Sequence, residues 1–115
     1  MSVKLNEKAF RHAKSLIGKG TVVRDERDDW SEHAPSAEDE NHFLEKENWS
    51  EYAKWYLGVD DERPDDTKGH YKFAIGDFRK VHRCAVISAE SRAGQNDYDD
   101  IRDALGTLLE KIDAD

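Results

Sequence analysis

The chain carries one thiol, Cys84, with an imidazole two positions before it, His82. A cysteine nucleophile needs a base within hydrogen-bond reach, and a histidine in contact with the sulfur would supply it. The spacing argues against that pairing. The segment 78–93 is predicted to be a helix, and side chains two apart on a helix diverge. Cys84, set among Arg83, Ala85 and Val86, then reads as a small buried hydrophobe. His82 falls on an apolar face and reads as a core histidine holding one local hydrogen bond. The other histidines, His12, His33, His42 and His70, show no HExxH or similar ligand spacing. A single cysteine forms no intrachain disulfide and is not expected to close a cysteine-based zinc site. The sequence therefore predicts no catalytic residue, no metal ligand and no cofactor.

Acidic stretches invite a calcium reading and fail it. The 59–70 segment lacks the alternating ligands, the glycine at the sixth position and the terminal glutamate of an EF-hand loop, and 25–32 fails in the same way. Both read as solvated loops. No glycine-rich phosphate loop and no dinucleotide fingerprint is present.

Charge offers a second line of chemistry. The net charge is −8, yet positive residues collect in two places. Arg79, Lys80 and Arg83, with Arg92 further along, could grip phosphates, and the first helix adds Lys8, Arg11 and Lys14. The opposing facts are the overall negative charge, which repels a polyanion, and the lack of any known nucleic-acid module. Partner binding has its own candidates in Trp49, Tyr52 and Trp55, because tryptophan and tyrosine are favoured interface anchors. Trp55 stands off the apolar stripe of its predicted helix.

The elements that must position these residues read as mostly helical. Segment 6–17 is amphipathic through Ala9, Phe10, Ala13, Leu16 and Ile17, and Gly18 and Gly20 end it. Residues 21–23 form a short predicted strand, paired with an extended 71–75 segment. Ser36 and Asp39 resemble a capping box opening a helix through Phe43, Leu44 and Lys46. Asn48 and Glu51 give a similar start to a helix over 49–57, stopped by Gly58. Gly76 and Asp77 supply a turn and an N-cap for the 78–93 helix, along which Ala85, Ala89 and Ala93 make a ridge that admits a close neighbour. The last helix, 98–112, carries an unbroken stripe of Ile101, Ala104, Leu105, Leu108, Leu109 and Ile112.

The run Gly76-Asp77-Phe78-Arg79-Lys80-Val81-His82-Arg83, with Glu90 to Gln95 after it, resembles an uncharacterised family of small bacterial proteins. The likeness extends to the 49–57 segment. It implies a bacterial or phage-related origin and carries over no activity, cofactor or catalytic residue.

The 115 residues allow one domain with a single core. The expectation is a mainly α domain over 1–115, with four to five helices around the central 78–93 helix and a minor two-stranded β element. No apolar run approaches membrane-spanning length, and the lone cysteine suits a reducing cytoplasm. The leading functional expectation is a non-enzymatic cytoplasmic interaction or accessory module. The alternative is an anion or nucleic-acid binder using the basic flank of 78–93 and the first helix.

Overall fold

The computed structural model describes residues 3–26 and 29–114. Arg27 and Asp28 of the 25–32 stretch lie outside the described residues, as does the side chain of His33. In chain order the elements are β1 (Val3–Leu5), α1 (Glu7–Gly18), β2 (Val22–Val23), α2 (Trp30–His33), α3 (Ala37–Lys46), α4 (Trp49–Ala53), β3 (Tyr56–Asp60), β4 (Tyr71–Ala74), β5 (Val81–His82), α5 (Arg83–Gln95) and α6 (Asp99–Ala114).

This is an α+β arrangement, and it overturns the mainly α expectation. A three-stranded antiparallel sheet has the order β1-β3-β4, and β2 pairs with β5 in a separate parallel ribbon. Three misread segments account for the difference, together with β1, to which the sequence assigns no element. The 49–57 helix stops at Ala53 and gives way to β3. Tyr56 and Val59 are good strand formers, and pairing on both sides decides the matter, with Gly58 opposite Leu5 on one flank and Lys72 on the other. Gly58 does not end a helix. It sits inside the strand, where an added Cβ would stand 2.9 Å from the Phe73 ring. The 71–75 segment is extended as expected but pairs with β3, while 22–23 pairs with 81–82 instead. Finally, the 78–93 helix starts only at Arg83. Phe78 has φ 69°, which no right-handed helix accommodates, and Val81–His82 is strand.

Other elements follow the sequence closely. Ser36 and Asp39 form a reciprocal capping box at α3, and the Asn48 side chain accepts from the Glu51 N–H at α4. Helix α1 ends in a Schellman motif, with Gly20 at φ 79° and the Thr21 N–H reaching the Leu16 carbonyl at 2.8 Å. Helix α5 ends the same way with Asp97 in the left-handed position, and the Tyr98 N–H bonds the Ala93 carbonyl at 2.9 Å. That short stop folds α6 back against α5.

Two apolar clusters result. The larger joins Ala9, Ala13 and Ile17 of α1 to Val86, Ala89 and Ala93 of α5 and the full Ile101–Ile112 stripe of α6. The second is aromatic, built on Tyr52, Trp55, Tyr56 and Tyr71 with Phe43, Trp49 and Phe78 against it. Among the described residues no helix is long and apolar enough to cross a membrane.

Candidate functional site

The loop joining β4 to β5 is a closely hydrogen-bonded turn. Gly76 and Val81 form an antiparallel bridge, the Asp77 N–H bonds the Lys80 carbonyl at 3.2 Å, and the His82 N–H bonds the Ile75 carbonyl at 3.0 Å. Asp77 braces the turn from inside. Its Oδ1 accepts from the N–H groups of Arg79 at 3.1 Å and Lys80 at 2.8 Å. An Asp with donors two and three positions ahead resembles a helix N-cap, so the sequence signal is real but it closes a turn instead.

The turn leaves Asp77 Oδ2 facing His82 Nε2 at 2.9 Å. The other ring nitrogen, Nδ1, lies 2.8 Å from Oδ2 of Asp25, just past the end of β2. The parallel pairing Val23↔His82 brings that distant segment alongside. Asp25 has a second duty. Helix α5 has no capping bond from its own N-cap residue, His82, and Asp25 Oδ1 instead accepts from the Cys84 N–H at 2.8 Å. A carboxylate from elsewhere in the chain thus satisfies a free N–H in the first turn and faces the positive end of the helix dipole.

This chain of Asp25, His82 and Asp77 is largely shut off from solvent, with side-chain exposures of 7% for Asp25, 4% for His82 and 32% for Asp77. The Trp30 ring packs beside the imidazole at 5.7 Å between centroids. Burial opposes a charged imidazole, but the hydrogen bonds it donates to both carboxylates outweigh burial and raise the His82 pKa. For Asp25, burial is likewise outweighed by its bonds to His82 and Cys84, so its pKa falls. Asp77 is lowered too, against burial, by the Lys80 N–H, His82 and the Arg79 N–H. Cys84 moves the other way. Burial and the neighbouring Asp25 push its thiol up to about 12.

The expectation that His82 and Cys84 point apart is therefore corrected. His82 belongs to a strand and Cys84 to the first turn of the next helix, and this change of backbone turns both side chains toward Asp25. One ligand atom each from Asp25, His82 and Cys84 lies within 4.8 Å of the others. His82 holds two carboxylates instead of one local bond. Sequence reasoning misses Asp25 because its loop has no periodicity, and sees Asp77 only as a cap. The available signal is a histidine among apolar residues, whose two ring nitrogens both require partners once buried.

The predicted partner residues sit elsewhere. Tyr52 is 1% and Trp55 6% exposed, so both rings serve the aromatic core and offer a partner almost no surface. Trp49 is half-buried, stacked on Tyr71 at 5.7 Å. Of the predicted anion-binding residues, Arg83 is taken by Asp113, with Nε to Oδ1 at 2.8 Å. Arg79 and Lys80 are exposed on the turn, Lys8 reaches Ser50, Arg11 is exposed, and Lys14 lies over the Phe10 ring at 4.4 Å.

Beside the turn, an open cleft of about 470 Å³ is walled by the turn and α3. Its walls include His42, Phe43 and Lys46 from the helix and Asp77, Phe78 and Arg79 from the turn. Phe43 and Phe78 stack at 4.6 Å with their planes 16° apart. No protein family, curated protein or solved structure matches the chain.

Proposed function

We propose that the protein is a non-enzymatic interaction module of bacterial or phage-related origin, working in the cytoplasm, whose docking site is the cleft between α3 and the 76–80 turn. Its occupant is a protein segment carrying an aromatic side chain beside acidic ones. The observation that carries this reading is the Phe43–Phe78 stack at the cleft, with Phe78 held at φ 69°. A bulky residue in the left-handed region costs on the order of 1–3 kcal/mol, and such strain concentrates at functional sites. Both rings pack on one side against the aromatic cluster and are only half-buried where they line the cleft, so an aromatic side chain entering it meets ring surface. Lys46 and Arg79 stand exposed on the walls, with no ion pair to either among the described residues. Of the acidic groups lining the cleft, Asp39 is engaged in its capping box and Asp77 in the bond to His82, so that Glu47 faces the two cations Lys46 and Arg79 and is outnumbered by them. The buried, poorly ionised Cys84 is badly placed to act as a nucleophile.

The test uses fluorescent peptides with an aromatic residue flanked by acids, the same peptide with basic flanks, and the acidic peptide with alanine for the aromatic. Anisotropy titrations are expected to favour the first, with affinity falling as salt is added. Replacing Lys46 and Arg79 together with alanine is expected to weaken binding about fivefold or more, from two partly exposed pairs. Lys111→Ala, on the exposed side of α6, is the neutral control. Absence of binding by the acidic aromatic peptide, or equal binding by the double variant, would overturn the reading.

A further inference from the structure

The buried cluster behind the turn contains more metal-ligand chemistry than a structural hydrogen-bond network requires. A carboxylate, an imidazole and a thiol converge with one donor atom each inside 4.8 Å. Their order in the chain conceals this, since Asp25 lies 57 residues before His82. Thiolate, imidazole and carboxylate together are the donor set of a borderline-soft divalent ion, and three such ligands leave one tetrahedral position open. Around such an ion, metal–ligand bonds of about 2.0–2.3 Å set the donor atoms about 3.5 Å apart. The present spacing is within a short side-chain adjustment of that.

The surroundings of His82 supply a second, independent observation. A metal-bound histidine characteristically donates its other ring N–H to a carboxylate, which fixes the tautomer and the ring plane. His82 Nε2 lies 2.9 Å from Asp77 Oδ2, and Asp77 is itself held in place by the N–H groups of Arg79 and Lys80. Nδ1 remains the nitrogen that faces Asp25, at 2.8 Å. The backbone N–H of Cys84 anchors the other oxygen of Asp25, also at 2.8 Å, so the carboxylate is oriented before any ion arrives.

We propose that Asp25 Oδ2, His82 Nδ1 and Cys84 Sγ form a binding site for a zinc-class divalent metal ion, with Asp77 as the outer carboxylate that positions His82. Charge balances in this exchange. Both ring nitrogens of His82 sit at hydrogen-bond distance from a carboxylate, which puts one proton in each of the two contacts. One divalent ion replaces the Nδ1 proton and the thiol proton, both of which leave to solvent, so the net charge of the cluster is unchanged. The site is separate from the docking cleft except through Asp77, and neither proposal depends on the other.

The experiment uses the full chain, reduced and stripped of metal. Calorimetry with zinc is expected to give one equivalent bound per chain. Cobalt(II) is expected to bind at the same stoichiometry, to show a near-ultraviolet thiolate-to-metal charge-transfer band, and to be displaced by zinc. Cys84→Ser is expected to abolish that band, and Asp77→Asn to weaken zinc binding about 10- to 100-fold through loss of the outer carboxylate. Circular dichroism checks that each variant is folded. If Cys84→Ser does not fold, the cobalt spectrum of the unaltered chain decides alone. Absence of stoichiometric binding would overturn the proposal. So would cobalt binding without a thiolate band, which would place the ion at surface carboxylates.

Discussion

Replacing Gly76 with alanine puts the tightness of the β4–β5 turn to direct test. A Cβ built on Gly76 would stand 2.3 Å from the Lys80 carbonyl oxygen and 2.7 Å from Cζ3 of Trp55. The first contact is with backbone, so no rotamer change relieves it. The second is with a ring only 6% exposed and packed in the aromatic core. Relief requires the turn to open, and opening strains the 3.2 Å bond from the Asp77 N–H to that same carbonyl. Overpacking of this kind costs about 1–3 kcal/mol. Against it stands a gain of about 0.4–1 kcal/mol from the stiffer unfolded chain. The net expectation is a loss of about 1–2 kcal/mol. With a urea m-value of about 1–3 kcal/mol/M for a domain of this size, the midpoint falls by about 1 M. Gly18→Ala is the matched control. Gly18 ends α1 with nothing within 4 Å of its would-be Cβ and no positive φ, so alanine is expected to stabilise by about 0.5–1 kcal/mol. A Gly76→Ala midpoint equal to or above that of the parent chain would refute the argument and with it the geometry assigned to the turn.

Two further outcomes are expected. Leu105 is fully buried in the cluster shared by α5 and α6, and Leu105→Ala should cost about 2–5 kcal/mol in urea denaturation, whereas a loss below about 1 kcal/mol would mean a looser helix pair. Burial pushes the Tyr52 phenol up to about 12 from its ordinary 10.0, and Tyr56 moves the same way. The folded state therefore keeps its phenol protons after the unfolded chain has released them, so stability is fully present below pH about 10 and falls as pH rises through about 12. Tyr52→Phe should flatten that fall in midpoints measured across the alkaline range, and an unchanged slope would refute the assignment.

Legibility from sequence divides along a physical line. Elements fixed by local rules are readable: the Ser36/Asp39 capping box, the Gly20 stop of α1, and the α6 stripe buried together with Ala89 and Ala93. Elements fixed by pairing with a distant segment are not. Residues 54–57 continue a helical apolar pattern well enough, yet β3 wins because β1 and β4 supply hydrogen bonds on both of its edges. The three residues of β1 carry too short an alternation to stand out, with Val3 and Leu5 half-buried around an exposed Lys4. Burial of Cys84 agrees with its apolar setting, but the same setting says nothing of a carboxylate arriving from the other end of the chain.

The stretch from Gly76 to His82 shows why a cap-like signal misleads. An aspartate with free N–H groups two and three residues ahead is satisfied equally by a helix start and by a turn, and the residues beyond those donors make the choice. Here Val81 and His82 bond outward, the first through its N–H to the Thr21 carbonyl at 3.3 Å and the second to Ile75. Those bonds withdraw 78–82 from any helix and delay α5 until Arg83. The delay has a chemical consequence. It turns Asp77 toward the His82 ring, presents Phe78 and Arg79 to the cleft, and leaves α5 without a local cap, so that Asp25 is drawn in to serve Cys84. The docking cleft and the buried cluster are thus two faces of one turn, and Asp77 is the residue that belongs to both.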